Sequence, residues 1–183
     1  MAIASIPATY NGTTFRSRTE ARWAIFFDLA YTAWLYEPEG FVLPDGSWYV
    51  PDFFLPDENF FVEIKGTDES HGKNCDKLRE VCNARSAFGL VFVGQPIEMR
   101  GTFIGQDCTH SSAGTYAGEH DTGIARAGRN HNLVICIQHS KSRSFYGPTF
   151  DMPIDVEDGV WSDFWDENAL SDAARKASKH SFW

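Results

Sequence analysis

The sequence predicts an α/β domain with a mixed central β-sheet flanked by helices, and three observations carry that expectation. Trp48 to Leu55 and Phe60 to Lys65 are rich in aromatic and β-branched residues, and the turn formers Pro56, Asp57, Glu58 and Asn59 lie between them, so the two runs read as a β-hairpin. Leu90 to Gly94 is a continuous apolar run, the pattern of a central strand lying parallel to the one that holds Glu63 and Lys65. Asn74 to Phe88 reads as a helix between them, with Leu78, Val81 and Cys82 inward.

The remaining elements follow in order. After a short polar leader, a first helix is expected from about Arg18 to Tyr31. Ser17 to Glu20 fits a capping box at its start, and Glu20, Trp23, Phe27 and Ala30 fall on one stripe. A strand follows around Trp34 to Glu37, and Asp45-Gly46 turns the chain into the strand that carries Asp52. Gly66 to Gly72 reads as a loop. Residues 95 to 132 are polar and punctuated by Gly101, Gly105, Gly114, Gly118, Gly123 and Gly128, the pattern of a long mobile insertion. Leu133 to Ile137 is a strand signal expected to pair with Thr102 to Ile104, and Ala169 to His180 reads as a last helix with a basic face. The expected organisation is one domain over residues 1–183, with a core at 15–94, the insertion at 95–132 and a strand-and-helix elaboration at 133–183.

Composition sets outer limits. The first residues have no basic region followed by a sustained apolar one, and no run approaches membrane-spanning length, so a soluble, cytoplasmic protein is expected. Cys75, Cys82, Cys108 and Cys136 show no close-spaced pairing and are expected to be reduced. Cys108, His110, His120, His131, Cys136 and His139 are of zinc-ligating types, but they lack a Cys-X-X-Cys knuckle. The net charge of −9 is unusual for a nucleic-acid binder, yet it is concentrated in two blocks, −8 over residues 23–64 and −7 over residues 151–167. The second block, anchored by Trp161, Phe164 and Trp165, reads either as a solvated loop or as a segment that mimics nucleic acid, gates a site or docks a basic partner.

The chemistry lies in the hairpin. A four-residue loop at 56–59 pairs Leu55 with Phe60 and Phe54 with Phe61, and the same count sets Asp52 against Glu63, with β-carbons about 4.5–5.5 Å apart. Lys65 falls on the same face. Like charges held opposite each other destabilise a sheet unless a cation lies between them, which points to a hard divalent ion, Mg²⁺ or Mn²⁺. The plainer alternatives are an exposed Glu63–Lys65 ion pair and a Glu20 that only caps its helix.

At Pro51-Asp52 and Glu63-Ile64-Lys65 the chain resembles the PD-(D/E)XK nuclease superfamily, with Glu20 as the preceding helix glutamate. The run from Phe15-Arg16-Ser17 through Tyr36-Glu37-Pro38-Glu39 and Pro51–Pro56 to Phe61–Gly66 is most similar to phage endonuclease I, the Holliday-junction resolvase type, over about residues 15–94. The resemblance implies a restriction-endonuclease-like core and metal-dependent hydrolysis of phosphodiester bonds in DNA, including branched DNA, by a chain that forms a homodimer. It implies a catalytic set of Glu20, Asp52, Glu63 and Lys65. Asp52, Glu63 and the Ile64 carbonyl would hold Mg²⁺ or Mn²⁺, and Glu20 would complete the shell directly, through water or at a second metal. Arg16, Arg18 and Arg22, clustered where the first helix begins, fit phosphate contacts. His71, six residues past Lys65, reads as a bystander or an aid to proton transfer. The alternative of a different class is a non-catalytic nuclease-fold module that binds nucleic acid or a protein partner through its acidic segment at 151–167.

Overall fold

A computed structural model describes residues 5–67, 71–98, 100–104, 122–127, 132–137 and 167–182. The leader is not merely polar coil. Strands β1 (Ala8–Tyr10) and β2 (Thr13–Phe15) form an antiparallel hairpin closed by Asn11 and Gly12, both at positive φ. Asn-Gly is the residue pair that a two-residue hairpin turn favours, because its twist needs φ above zero at both positions.

Helix α1 (Arg18–Leu29) starts where Ser17 accepts the Glu20 N–H at 3.0 Å. It ends two residues before the expected Tyr31. Tyr31 takes the left-handed conformation at φ 53°, and the next amide, Thr32 N–H, reaches back to Phe27 C=O. Ala21, Trp23, Ala24, Phe26, Phe27 and Ala30 are all buried, and the Trp23 ring stacks on Phe92 with centroids 4.1 Å apart.

The central sheet is mixed, and helices flank it. Its strands are β3 (Leu35–Tyr36), β6 (Phe53–Leu55), β7 (Phe60–Lys65), β8 (Phe88–Val93) and β9 (Arg100–Ile104), in spatial order β3-β6-β7-β8-β9. β7 and β8 run parallel, and the other neighbours are antiparallel. Helix α2 (His71–Arg85) connects the parallel pair and covers one face, where Phe61, Leu78, Val81, Cys82, Val91 and Ile104 form one apolar cluster. Helix α1 covers the other face. There Phe53, Leu55, Val62, Ile64, Leu90 and Phe92 pack with α1 and with Ala173, Ala174 and Ala177 of helix α3 (Glu167–Ser178). Among the described residues no helix is long and apolar enough to cross a membrane.

Three sequence expectations are corrected. The run from Trp48 to Leu55 is not one strand. β5 (Trp48–Tyr49) pairs with β4 (Phe41–Val42) in a separate hairpin, and β6 begins only at Phe53, because Pro51 has no N–H with which to continue a ladder. The expected pairing of Thr102–Ile104 with Leu133–Ile137 does not form. β9 joins the central sheet beside β8, while β11 (Asn132–Ile137) pairs with β10 (Thr122–Ala127). The glycine-rich stretch therefore holds strands, since cross-strand pairing supplies order that a pattern rich in small residues does not announce.

Gly89 lies where β8 meets α2. A β-carbon there would stand 2.8 Å from Cys82 Sγ and 3.2 Å from Ile104 Cβ. Gly89→Ala is expected to lower unfolding stability by about 1–3 kcal/mol through overpacking, measurable as a lower urea midpoint at unchanged slope.

Candidate active site

The register of β6 and β7 is the one counted from the sequence, with Leu55 opposite Phe60, Phe54 opposite Phe61 and Phe53 opposite Val62. One step further along both strands sets Asp52 against Glu63. Asp52 stands just outside the ladder, and two backbone contacts fix it there. Its C=O accepts Glu37 N–H at 2.9 Å, and its Oδ2 accepts Ile64 N–H at 2.7 Å. Asp52 is 1% exposed and Glu63 3%. Both carboxylates belong to the α2 side of the sheet, whereas the Ile64 side chain packs into the α1-side core, as strand alternation requires.

Each buried acid has its own cation. Lys65 forms an ion pair with Glu63 Oε1, and the Tyr49 hydroxyl donates to Glu63 Oε2 at 2.8 Å. Arg16 forms an ion pair with Asp52 Oδ1 while its Nε reaches Glu37 Oε1 at 2.8 Å. Tyr49 and Glu37 were not singled out by sequence reasoning. Tyr49 carries a weak signal, a buried aromatic alternating with the exposed Trp48 on β5. Glu37, read only as part of the Tyr36–Glu39 run, continues the β3–β6 register by one step onto Asp52, and its carboxylate meets Arg16, 21 residues earlier.

Glu20 is buried at the start of α1, and its carboxylate is fully engaged there. Oε1 accepts from the Ser17 hydroxyl at 2.8 Å, and Oε2 accepts from the Tyr36 hydroxyl at 2.6 Å and Arg16 N–H at 3.2 Å. The capping box is thus present, closed on the Ser17 hydroxyl and the Arg16 amide rather than on the Ser17 amide. Arg16 links this carboxylate to Asp52, with Nε 4.0 Å from Glu20 Oε2. Arg22 donates to Gln95 Oε1 at 3.2 Å and His180 C=O at 3.4 Å. Arg18 begins the same helix, with the guanidinium Nε buried. The side chain of His71, those of the six candidate zinc ligands, and the acidic stretch 151–166 lie outside the described residues.

The electrostatics follow from this crowding. Burial, then the charge of Glu63, push the Asp52 carboxyl up to about 8; Lys65 and the Ile64 N–H oppose the shift, and Glu20 adds to it. Burial first, then Glu63, drive the Tyr49 phenol far above its ordinary value, so it stays a neutral donor. Burial works against the charge of Arg16, but Asp52, the Tyr36 hydrogen bond, Glu37 and Glu20 outweigh it and hold the guanidinium protonated. Burial raises the thiols of Cys75 and Cys82 to about 11 and about 12, which makes them poor nucleophiles.

The donor set at Asp52 and Glu63 suits a hard divalent cation: buried carboxylate oxygens, with the backbone of Ile64 next to Glu63. The pair fits such an ion by charge and by ligand type. Among the described residues no group of three or more His, Cys, Asp or Glu side chains is placed to hold a metal ion. No family model matches the chain, and no curated protein and no solved structure matches it.

A pH dependence follows. The folded chain keeps a proton on Asp52 up to about pH 8, whereas the unfolded chain releases it near pH 4. Stability from this group is therefore complete below the unfolded value and is lost as pH rises through 8. In EDTA, unfolding free energy is expected to fall by roughly 4 kcal/mol between pH 5 and pH 9, and Asp52→Asn should flatten that slope in urea titrations.

Proposed function

We propose that the chain is a metal-dependent nuclease of the PD-(D/E)XK type, with a restriction-endonuclease-like core, that hydrolyses phosphodiester bonds in DNA. One observation carries the reading: Asp52 and Glu63 are buried opposite each other at the end of a ladder, with Lys65 two residues on. Burying ionised carboxylates costs several kcal/mol each, and the apolar clusters on both faces of the sheet do not need them for packing. A strongly perturbed acid such as Asp52 in such a place marks a site of chemistry more than one of packing.

Asp52, Glu63 and the Ile64 carbonyl would hold Mg²⁺ or Mn²⁺. A divalent cation bound there supplies a water of lowered pKa and positive charge against the phosphate. The residues do the rest. Tyr49 keeps Glu63 in one rotamer, the Ile64 N–H does the same for Asp52, and Glu20 anchors the backbone of Arg16. Lys65, a quarter exposed, turns from Glu63 to orient the attacking water or to neutralise charge that develops on the phosphate oxygens. Arg16, Arg18 and Arg22 are assigned to the phosphate backbone. Cleavage of branched DNA and a homodimer belong to the same proposal and rest on the resemblance over residues 15–94.

A second reading is favoured by the completeness of the ion pairs. Each carboxylate oxygen of Asp52 and Glu63 already has a partner, as a non-catalytic module that binds nucleic acid or a protein would require. Labelled linear, single-stranded, supercoiled and branched DNA incubated with Mg²⁺ or Mn²⁺ separates the two readings. Asp52→Asn and Glu63→Gln are each expected to reduce cleavage about a hundredfold or more, while Lys65→Ala keeps metal binding and loses turnover. Equal digestion by all three variants and the parent would reject the site.

The same reading predicts a stabilising ligand. Millimolar Mg²⁺ or Mn²⁺ should raise the melting temperature of the parent, because a ligand held only by the native state stabilises it, and Asp52→Asn should weaken that response. Scanning calorimetry with no metal dependence would count against it.

A further inference from the structure

Asp52 has two partners of different kinds. The Ile64 N–H is backbone within the sheet and cannot leave; the Arg16 guanidinium can. Its side chain is 58% exposed, while that of Asp52 is 2% exposed. Removing the arginine to water costs little, and leaving the carboxylate without a cation costs much. The Arg16 main chain is meanwhile pinned, its N–H shared between Glu20 Oε2 at 3.2 Å and the Tyr36 hydroxyl at 3.1 Å. Only the side chain is free to swing. Glu37 supplies the pivot, since it holds Nε at 2.8 Å and leaves the NH2 edge to Asp52. Glu37 sits in a left-handed conformation that costs a non-glycine residue on the order of 1 kcal/mol or more. That strain is offset by the two contacts it makes, N–H to Asp52 C=O and carboxylate to Arg16.

We propose that Arg16 is an exchangeable partner of Asp52: its guanidinium holds the Asp52 carboxyl in the metal-free protein and passes to a substrate phosphate when a divalent cation takes its place. The inference rests on the nuclease reading above and adds the order of events. A doubly charged ion at Asp52 repels the guanidinium beside it, and Arg16, tethered by Glu37, is released only a short way. A planar guanidinium with spare N–H groups matches the two free oxygens of a phosphodiester. Metal loading thereby switches on the phosphate contact, and substrate binds firmly only to the loaded site.

Titration calorimetry with Mg²⁺ at pH 9, where protons compete least for Asp52, tests the first half. Arg16→Ala and Arg16→Gln are expected to bind Mg²⁺ about tenfold tighter than the parent, since no ion pair has to be broken. Arg16→Gln keeps a hydrogen-bond donor for Asp52 and serves if the alanine variant does not fold. Fluorescence anisotropy with a labelled oligonucleotide tests the second half, in a Lys65→Ala background that leaves the DNA intact. Arg16→Ala should weaken DNA binding about tenfold in Mg²⁺ and by less than about twofold in EDTA. Unchanged Mg²⁺ affinity in both variants, or an equal loss of DNA affinity with and without Mg²⁺, overturns the exchange and leaves the nuclease reading standing. A parent that binds no Mg²⁺ overturns both.

Discussion

Two carboxyl groups can lie side by side beneath a sheet only when a cation or a proton is held against them, and most of the local structure around residues 15–65 follows from that requirement. Asp52 draws Arg16 across the edge of the sheet, Arg16 draws in Glu37, and the Arg16 amide is fixed by the carboxylate of Glu20. Glu63 binds Lys65 on its own strand and Tyr49 from the neighbouring hairpin. The β4–β5 hairpin is thus tied to the central sheet by a buried phenol–carboxylate bond as well as by the apolar contacts of Tyr49 and Phe41. The block of eight acids at residues 23–64 is less anomalous in this light, because Asp52, Glu63 and Glu37 are matched by cations from outside the block or at its boundary.

Much of this was legible in the sequence wherever one side-chain period ran unbroken. The turn residues at 56–59 fixed the register from Leu55 and Phe60 outward, and that register alone opposed Asp52 to Glu63. The apolar run at 90–93 identified the parallel neighbour, and the capping box located the start of α1. What could not be read depended on contacts between distant segments. Arg16, read from its sequence position as a phosphate contact, also pairs with Asp52, 36 residues away. Glu20 was expected beside the acids; Arg16 bridges it to Asp52, and its oxygens accept from Ser17, Tyr36 and Arg16. The hairpin of β1 and β2 was legible and overlooked, since Asn11-Gly12 is a strong local turn signal.

Proline at position 51 is the least conspicuous of these determinants and shapes the site as much as any charge. By ending the ladder one residue early, it leaves Asp52 outside regular pairing. Its main chain still carries the β3–β6 register one step further by accepting from Glu37, while its carboxylate accepts the Ile64 N–H.

The packing of α3 on α1 has a kinetic corollary. Ala173, Ala174 and Ala177 share one apolar cluster with Trp23, Ala24 and Phe27, some 150 residues apart along the chain. Contacts of such long sequence separation form late, because the entropy of closing the intervening loop is lost before the contact repays it. The apolar cluster between α1 and the sheet, with Trp23, Phe26 and Phe27 among its largest side chains, stays open on the side of α3 until that closure. Folding should therefore pass through a species whose central sheet is assembled but sticky, and whose partition between closure and self-association depends on protein concentration.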